Sequence, residues 1–265
     1  MRGQVDCAIS GITLAAAFLR GDELYVGNAG DCRAVIGRLK GKRGSGVYDA
    51  IDLTVDHRPD RPDEKNRIEK CGGRVEPVKL QNHDEYVGPM RVWKGKSNVP
   101  GLNVSRSLGD IIAHSAGVSS QPEFTHTQLD KKDEFLILAT DGVWEWTSSQ
   151  ARLLSVPLSL SLCPLVLCLC RCRSLSLPLS VTHSLSVTLT PSQEAVDIVA
   201  QGDDAESACE QLVREAYTRW ELNGEGIADD TTAIVVFFDE DDGNDGSTPV
   251  AVLEDGAVGD DGYDD

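Results

Sequence analysis

The sequence has no cysteine framework, no apolar run at its start and no surplus of basic charge, and each absence closes off a class of protein. Four of the eight cysteines lie between Cys163 and Cys172, and Cys7, Cys32, Cys71 and Cys209 are scattered without a recurring spacing. No disulfide scaffold can be built on that pattern, which favours a reducing compartment, cytoplasmic or nuclear. Cys168, Cys170 and Cys172 also lack the Cys-x-x-Cys spacing usual for zinc. Met1-Arg2-Gly3-Gln4-Val5-Asp6 has no apolar stretch behind a basic start, so no signal peptide is expected. Arg2 stands where a myristoyl acceptor glycine would have to be. The formal net charge of −18 excludes a nucleic-acid partner, because attraction to phosphate needs a basic surface.

The charge is localised. Residues 239–265 hold eleven Asp and Glu and no Lys or Arg, which leaves about −7 for the rest, ordinary for a folded domain. With five glycines and few large apolar side chains, 239–265 is expected to be a disordered, solvated acidic tail.

A second segment is unusual for the opposite reason. Between Ala151 and Gln193 there is no Asp or Glu at all, and Leu and Ser make up 22 of 43 residues. Leu153–Cys170 is 18 uncharged residues, about the lower limit for a membrane span, but Pro157 and Pro164 interrupt it and serines recur through it. A membrane span is therefore not expected. These amino acids are encoded largely by pyrimidine-rich codons, and the segment sits between two stretches that each end in Gln. Joining Gln150 to Glu194 gives an uninterrupted helical pattern. The segment reads as a retained intron, contributing nothing regular to the fold.

Elsewhere the patterning alternates between strands and helices. Thr13–Leu19, Glu23–Asn28 and Cys32–Gly37 are expected to form an antiparallel meander. Pro62 opens a helix to Lys70 that Gly72-Gly73 ends, with Ile68 and Cys71 on its buried face. Phe135–Ala139 is a continuous apolar run, expected to be a strand covered on both faces. Ala208, Leu212, Ala216 and Trp220 recur every four residues in a helix over Ala205–Trp220, and Ala233–Phe238 is the last expected strand. The order implies an α+β class.

Three acidic positions share one setting, a turn beside an apolar strand. Asp31 follows Asn28-Ala29-Gly30, Asp141 ends the Phe135–Ala139 run before Gly142, and Asp229-Asp230 leads into the last strand. Carboxylates at strand ends are held rigidly, and a cage of them suits a hard cation, Mg²⁺ or Mn²⁺, better than zinc. Each alone is an ordinary turn residue.

Their order makes the pattern specific. Tyr25-Val26-Gly27-Asn28-Ala29-Gly30-Asp31-Cys32-Arg33, Leu53-Thr54-Val55-Asp56-His57-Arg58-Pro59 with Glu64, Arg67-Ile68 and Gly72-Gly73, Asn103-Val104-Ser105-Arg106-Ser107-Leu108-Gly109-Asp110, Pro122-Glu123, Thr140-Asp141-Gly142-Val143-Trp144-Glu145 and Asp229-Asp230-Thr231-Thr232 occur in that order. Together they resemble the PPM (type 2C) family of metal-dependent serine/threonine protein phosphatases.

The resemblance implies a four-layer α-β-β-α sandwich of two antiparallel sheets flanked by helices, within a partial domain over residues 1–238 interrupted by 151–193. It implies a centre of two or more Mg²⁺ or Mn²⁺ ions, with Asp141 and Asp229 as ligands and Asp31 and Glu145 at a further, weaker site. The implied reaction is hydrolysis of phosphoserine or phosphothreonine in phosphoprotein substrates by a metal-activated water, by a monomer, so no cysteine need be a nucleophile. Cys32 and Cys71 read as packing residues, His57 as structural or part of a substrate flap, and Arg33 and Arg106 as ion-paired, with Asp110 a candidate partner of Arg106. Glu145, Cys32 and Asp230 depart from the family's commoner Asp, Ser and Asn. The family's Asp-Gly-His-Gly motif, general-acid His and phosphate-binding Arg have no counterpart here, so no catalytic side chain is assigned and the sandwich is expected to be incomplete at its N-terminal side. A non-catalytic phosphatase-like binding module is the competing reading.

Overall fold

The structure is a computed structural model that describes residues 6–80, 85–150, 190–222, 229–238 and 250–254. In chain order these form β1 (Gly11–Ile12), β2 (Leu14–Arg20), β3 (Glu23–Ala29), β4 (Arg33–Leu39), β5 (Tyr48–Asp52), α1 (Pro62–Lys70), β6 (Gly73–Lys79), β7 (Tyr86–Lys94), β8 (Pro100–Leu102), β9 (Leu108–Gly109), α2 (Ile111–His114), β10 (Glu123–Gln128), β11 (Asp133–Ala139), α3 (Asp141–Gln150), α4 (Pro191–Val199), α5 (Ala205–Leu222), β12 (Thr232–Phe237) and β13 (Val250–Glu254).

Two antiparallel sheets make the sandwich: β10-β3-β2, and β13-β12-β11-β4-β5. Alternation along each strand divides the side chains between two cores. Ala34 and Ile36 on β4 and Leu136 and Leu138 on β11 face inward against Leu24 and Val26 of β3. Val35, Phe135, Ile137, Ala139, Ala233 and Val235 point the other way, under a helical layer supplied by Val143, Trp144, Val196, Val199, Ala208, Leu212 and Ala216. β11 is thus covered on both faces, as its continuous apolar run predicts. Gly37 on β4 leaves room for the Phe135 ring, which a Cβ there would meet at 2.2 Å. A third cluster, Ile68, Val75, Val92, Ala113, Ala116 and Val118, ties α1 and α2 to the sheet β6-β7-β8.

The α+β class, the antiparallel sheets and the flanking helices are as expected. Of the four layers, three are present among the described residues. Leu14, Phe18 and Phe124 on the outer face of β10-β3-β2 are 45, 63 and 79 % exposed.

Four local expectations are corrected. The first three strands are not a meander: β2 and β3 pair, but β4 pairs with β11 and β5 in the other sheet. Both faces of β4 are apolar, so it belongs where a sheet is buried on both sides, and the chain crosses between sheets at Gly30-Asp31-Cys32. Cys71 is exposed, because it caps α1 rather than lying on its buried face. In the acidic tail, Val250–Glu254 pairs antiparallel with β12, where an apolar β-branched stretch completes an otherwise open edge. The Leu/Ser-rich segment also ends earlier than Gln193. Thr190 caps α4 by accepting from the Gln193 backbone N–H, Ser192 is buried, and the Gln193 amide bonds the backbone of Tyr48 and Ala50. Residues 151–189 and most of 239–265 lie outside the described residues. Among the described residues, no helix is long and apolar enough to cross a membrane.

Candidate functional site

The sheet crossing after β3 places Asp31 at one end of the sandwich, where it is 3 % exposed. Among the described residues its Oδ2 is buried without a hydrogen-bond partner. Asp141 opens α3 directly after β11, and Glu145 lies four residues on, one turn along the same face. Asp229 leads into β12, which pairs with β11 in a register that sets Ala139 opposite Ala233. The Thr140 backbone N–H donates to the Thr232 carbonyl at 3.0 Å, and the Thr140 hydroxyl donates to the Asp230 carbonyl at 3.3 Å. Gly142 permits this approach: a Cβ there would stand 2.6 Å from the Asp230 carbonyl oxygen.

Electrostatics show that the four carboxylates share one region. Burial, then the charges of Asp31, Asp229 and Glu145, push Asp141 up to about 7 despite its place at a helix N-terminus, which favours the anion. Burial above all, with Asp56 and Glu145 adding, pushes Asp31 up to about 6. Asp229 is raised too, by burial and then by Glu145 and Asp230. A buried oxygen without a partner, among carboxylates whose charges oppose one another, matches a hard divalent cation in the type of donor, although no three of these residues bring their ligand atoms within 4.8 Å of one another.

Asp63, Glu64 and Glu123 are the one group among the described residues that brings three ligand atoms within 4.8 Å of one another. Arginines gather them. Arg61 forks onto Asp63 and reaches Glu123, Arg67 forks onto Glu64, and Arg106 bonds Glu64 and Glu123. Ser105 also donates to Glu64, whose carboxylate is 1 % exposed. Burial alone would raise Glu64, but the hydrogen bonds from Arg67, Arg106 and Ser105 outweigh it and hold it at about 2. With its lone pairs engaged by guanidinium groups, this cluster serves as an ion-pair junction. Arg106 therefore pairs with Glu64 and Glu123, not with Asp110. His57 is fully buried with Nε2 3.2 Å from Glu123, and Arg33 forks onto Asp56 at 3.0 and 2.9 Å. Arg33 is thus ion-paired, as expected.

A sequence profile of the family described as Protein phosphatase 2C matches residues 2–153. The chain belongs to that family. Among protein phosphatase 2C relatives, Probable protein phosphatase 2C 48 of Oryza sativa subsp. japonica is 35% identical over 237 residues, 89% of this chain and 54% of that protein. Probable protein phosphatase 2C 64 of the same organism is 44% identical over 146 residues, 55% of this chain and 33% of that protein. The chain thus spans about half, or less, of these relatives' length. The serine-threonine phosphatase 2C from Toxoplasma gondii superposes with a TM-score of 0.60 at 24% identity, covering 88% of this chain and 60% of that one, which shows the shared protein phosphatase 2C fold.

Two features of the site escaped the sequence. Arg58 lies among the carboxylates, its Nη2 2.5 Å from Glu145 Oε1. Asp56 adds a fifth charge beside them. The run Asp56-His57-Arg58-Pro59 held both, but nothing local says that this loop folds back onto Asp31. The pairing of His57 with Gly30 does that.

Proposed function

We propose that this chain carries part of a metal-dependent protein serine/threonine phosphatase, with Asp141 and Asp229 as principal ligands of Mg²⁺ or Mn²⁺ and Asp31 and Glu145 at a further site. The observation that carries this reading is the convergence of the four carboxylates at one end of the sandwich, with the partnerless Asp31 Oδ2 among them. Divalent ions bound there would offset phosphoryl charge and supply an activated water for in-line attack. The chain's own part is positional. Strand ends hold Asp31 and Asp229, the first two turns of α3 hold Asp141 and Glu145, and the Thr140–Asp230 contact locks the two acidic loops together. Two or more ions, phosphoprotein substrates, a monomeric state and a cytoplasmic or nuclear location belong to the same proposal.

With Asp31 and Glu145 at the further site, this assignment leaves only Asp141 and Asp229 for the paired ions, too few carboxylates to fix both about 4 Å apart. The 265-residue chain alone is therefore expected to show no Mn²⁺-dependent hydrolysis of a phosphothreonine peptide, whereas the chain preceded by a segment bearing the Asp-Gly-His-Gly motif is expected to show it, sensitive to chelator. Comparable chelator-sensitive turnover by the chain alone would overturn this ligand assignment.

A further inference from the structure

The acidic centre contains a cation of its own. The His57 backbone N–H bonds the Gly30 carbonyl at 2.9 Å, and the His57 ring accepts from the Gly30 N–H at 3.1 Å. Residue 58 is thereby held beside residue 31. From there the Arg58 guanidinium reaches Glu145 Oε1 at 2.5 Å and stands 3.8 Å from Asp56 Oδ2. Its charge also acts on Asp31 and Asp141. Asp56 is already forked by Arg33, so Glu145 is the partner that Arg58 holds most directly. The Arg58 side chain is 31% exposed.

We infer that Arg58 is a positioning residue that competes with a divalent ion for Glu145, so that loading of the Asp31–Asp141–Glu145 side of the centre requires the guanidinium to let go. The inference rests on the metal reading above. A guanidinium and a divalent ion drawn to one carboxylate repel each other at close range, and in a partly desolvated site that repulsion is little screened. The centre therefore exchanges one cation for another: Arg58 offsets the crowded carboxylates of the ion-free chain and swings toward solvent when the ion arrives. A released guanidinium at the rim has the planar fork that matches a phosphoryl group. This role differs in sign from a structural one. A merely supporting Arg58 would weaken ion binding when removed, whereas a competitor strengthens it.

The test is Mn²⁺ affinity of the 265-residue chain at low salt, read from the electron paramagnetic resonance signal of free Mn²⁺. Arg58→Gln is expected to bind Mn²⁺ at least about fivefold more tightly than the unsubstituted chain, and Arg58→Lys, which keeps the charge, to stay near it. The gain should disappear when Glu145→Gln is also present, since the two residues then no longer couple. Arg58→Met, which keeps the packing of the stem, serves the same comparison if the Gln variant does not fold. Equal or weaker binding by both variants, with binding still abolished by Asp141→Asn, would overturn the competition and leave the metal reading standing. Binding indifferent to Asp141→Asn would overturn both.

Discussion

Arg106 Nη2 lies 2.8 Å from Glu64 Oε1, joining the loop before β9 to α1 through a carboxylate that is 1 % exposed. The same carboxylate takes the Arg67 fork and the Ser105 hydroxyl, so α1, the Ser105-Arg106 loop and the start of β10 meet at one buried junction.

Removing one partner from that junction leaves a buried charge uncompensated. Arg106→Met is expected to cost about 3–5 kcal/mol of stability, read as a lowered urea midpoint. Arg74→Met, which breaks a partly exposed pair with Glu76, should cost less than about 1 kcal/mol. Equal losses in the two variants would show that the junction is not a stabilising element.

Glu64 also sets an acid limit. Its folded pKa of about 2 lies below its ordinary value of 4.5, so its contribution is complete above about 4.5 and is lost as pH falls from there towards about 2. That contribution is on the order of 3 kcal/mol. Urea midpoints of the unsubstituted chain should fall steeply through this window, and those of Glu64→Gln should be lower at neutral pH and fall less.

Asp141 has the opposite sign. Its pKa rises from 3.8 to about 7 on folding, so between those values the folded chain holds a proton that the unfolded chain has released. In chelator, stability is expected to decline as pH rises from about 4 to about 7, and Mn²⁺ affinity to rise over the upper part of that range as the proton leaves. Asp141→Asn should flatten the thermal-midpoint profile. Parallel profiles for the two proteins would assign the decline to other groups.

The adjacent pair Asp229-Asp230 separates ligand from neighbour. In an active, completed domain, Asp229→Asn and Asp141→Asn should each cut turnover by orders of magnitude, because the bound metals generate the nucleophile. Asp230→Asn should be mild, since Asp230 contributes a backbone carbonyl to the Thr140 contact and an Asn keeps it. The reverse ranking would shift the ligand assignment by one residue.

Thr147-Ser148-Ser149-Gln150 repeats the pattern of Thr190-Pro191-Ser192-Gln193, which starts α4. Excising 151–193 would give Glu194 the same Thr-x-Ser-Gln lead, with Gln150 taking the place of Gln193. The excised chain is expected to fold with undiminished stability. Gln150→Ala should then cost about 1 kcal/mol, and Gln193→Ala should cost about as much in the full chain. Mass spectrometry of the native protein should find Gln150 joined to Glu194, and abundant peptides from within 151–193 would refute the excision. The family profile itself runs out at residue 153.

The sequence alone determined the most strongly patterned elements and the residue types offered as donors. Continuous or four-residue apolar recurrence placed β11 and α5, Pro62 and Gly72-Gly73 bounded α1, and ordered carboxylates at turns pointed to a hard cation. These signals are local: they depend on neighbours along the chain and on residue type. Tertiary structure decided which sheet β4 joins, because a strand apolar on both faces can pair wherever burial is double. It decided that Arg106 meets Glu64 rather than Asp110, that Val250–Glu254 leaves the acidic tail to pair with β12, and that Arg58 reaches Glu145. Ion pairing across 42 or 87 residues has no periodicity to betray it. It is settled only when the sheets, once packed, bring distant loops to the same end, where burial makes an unpaired charge costly.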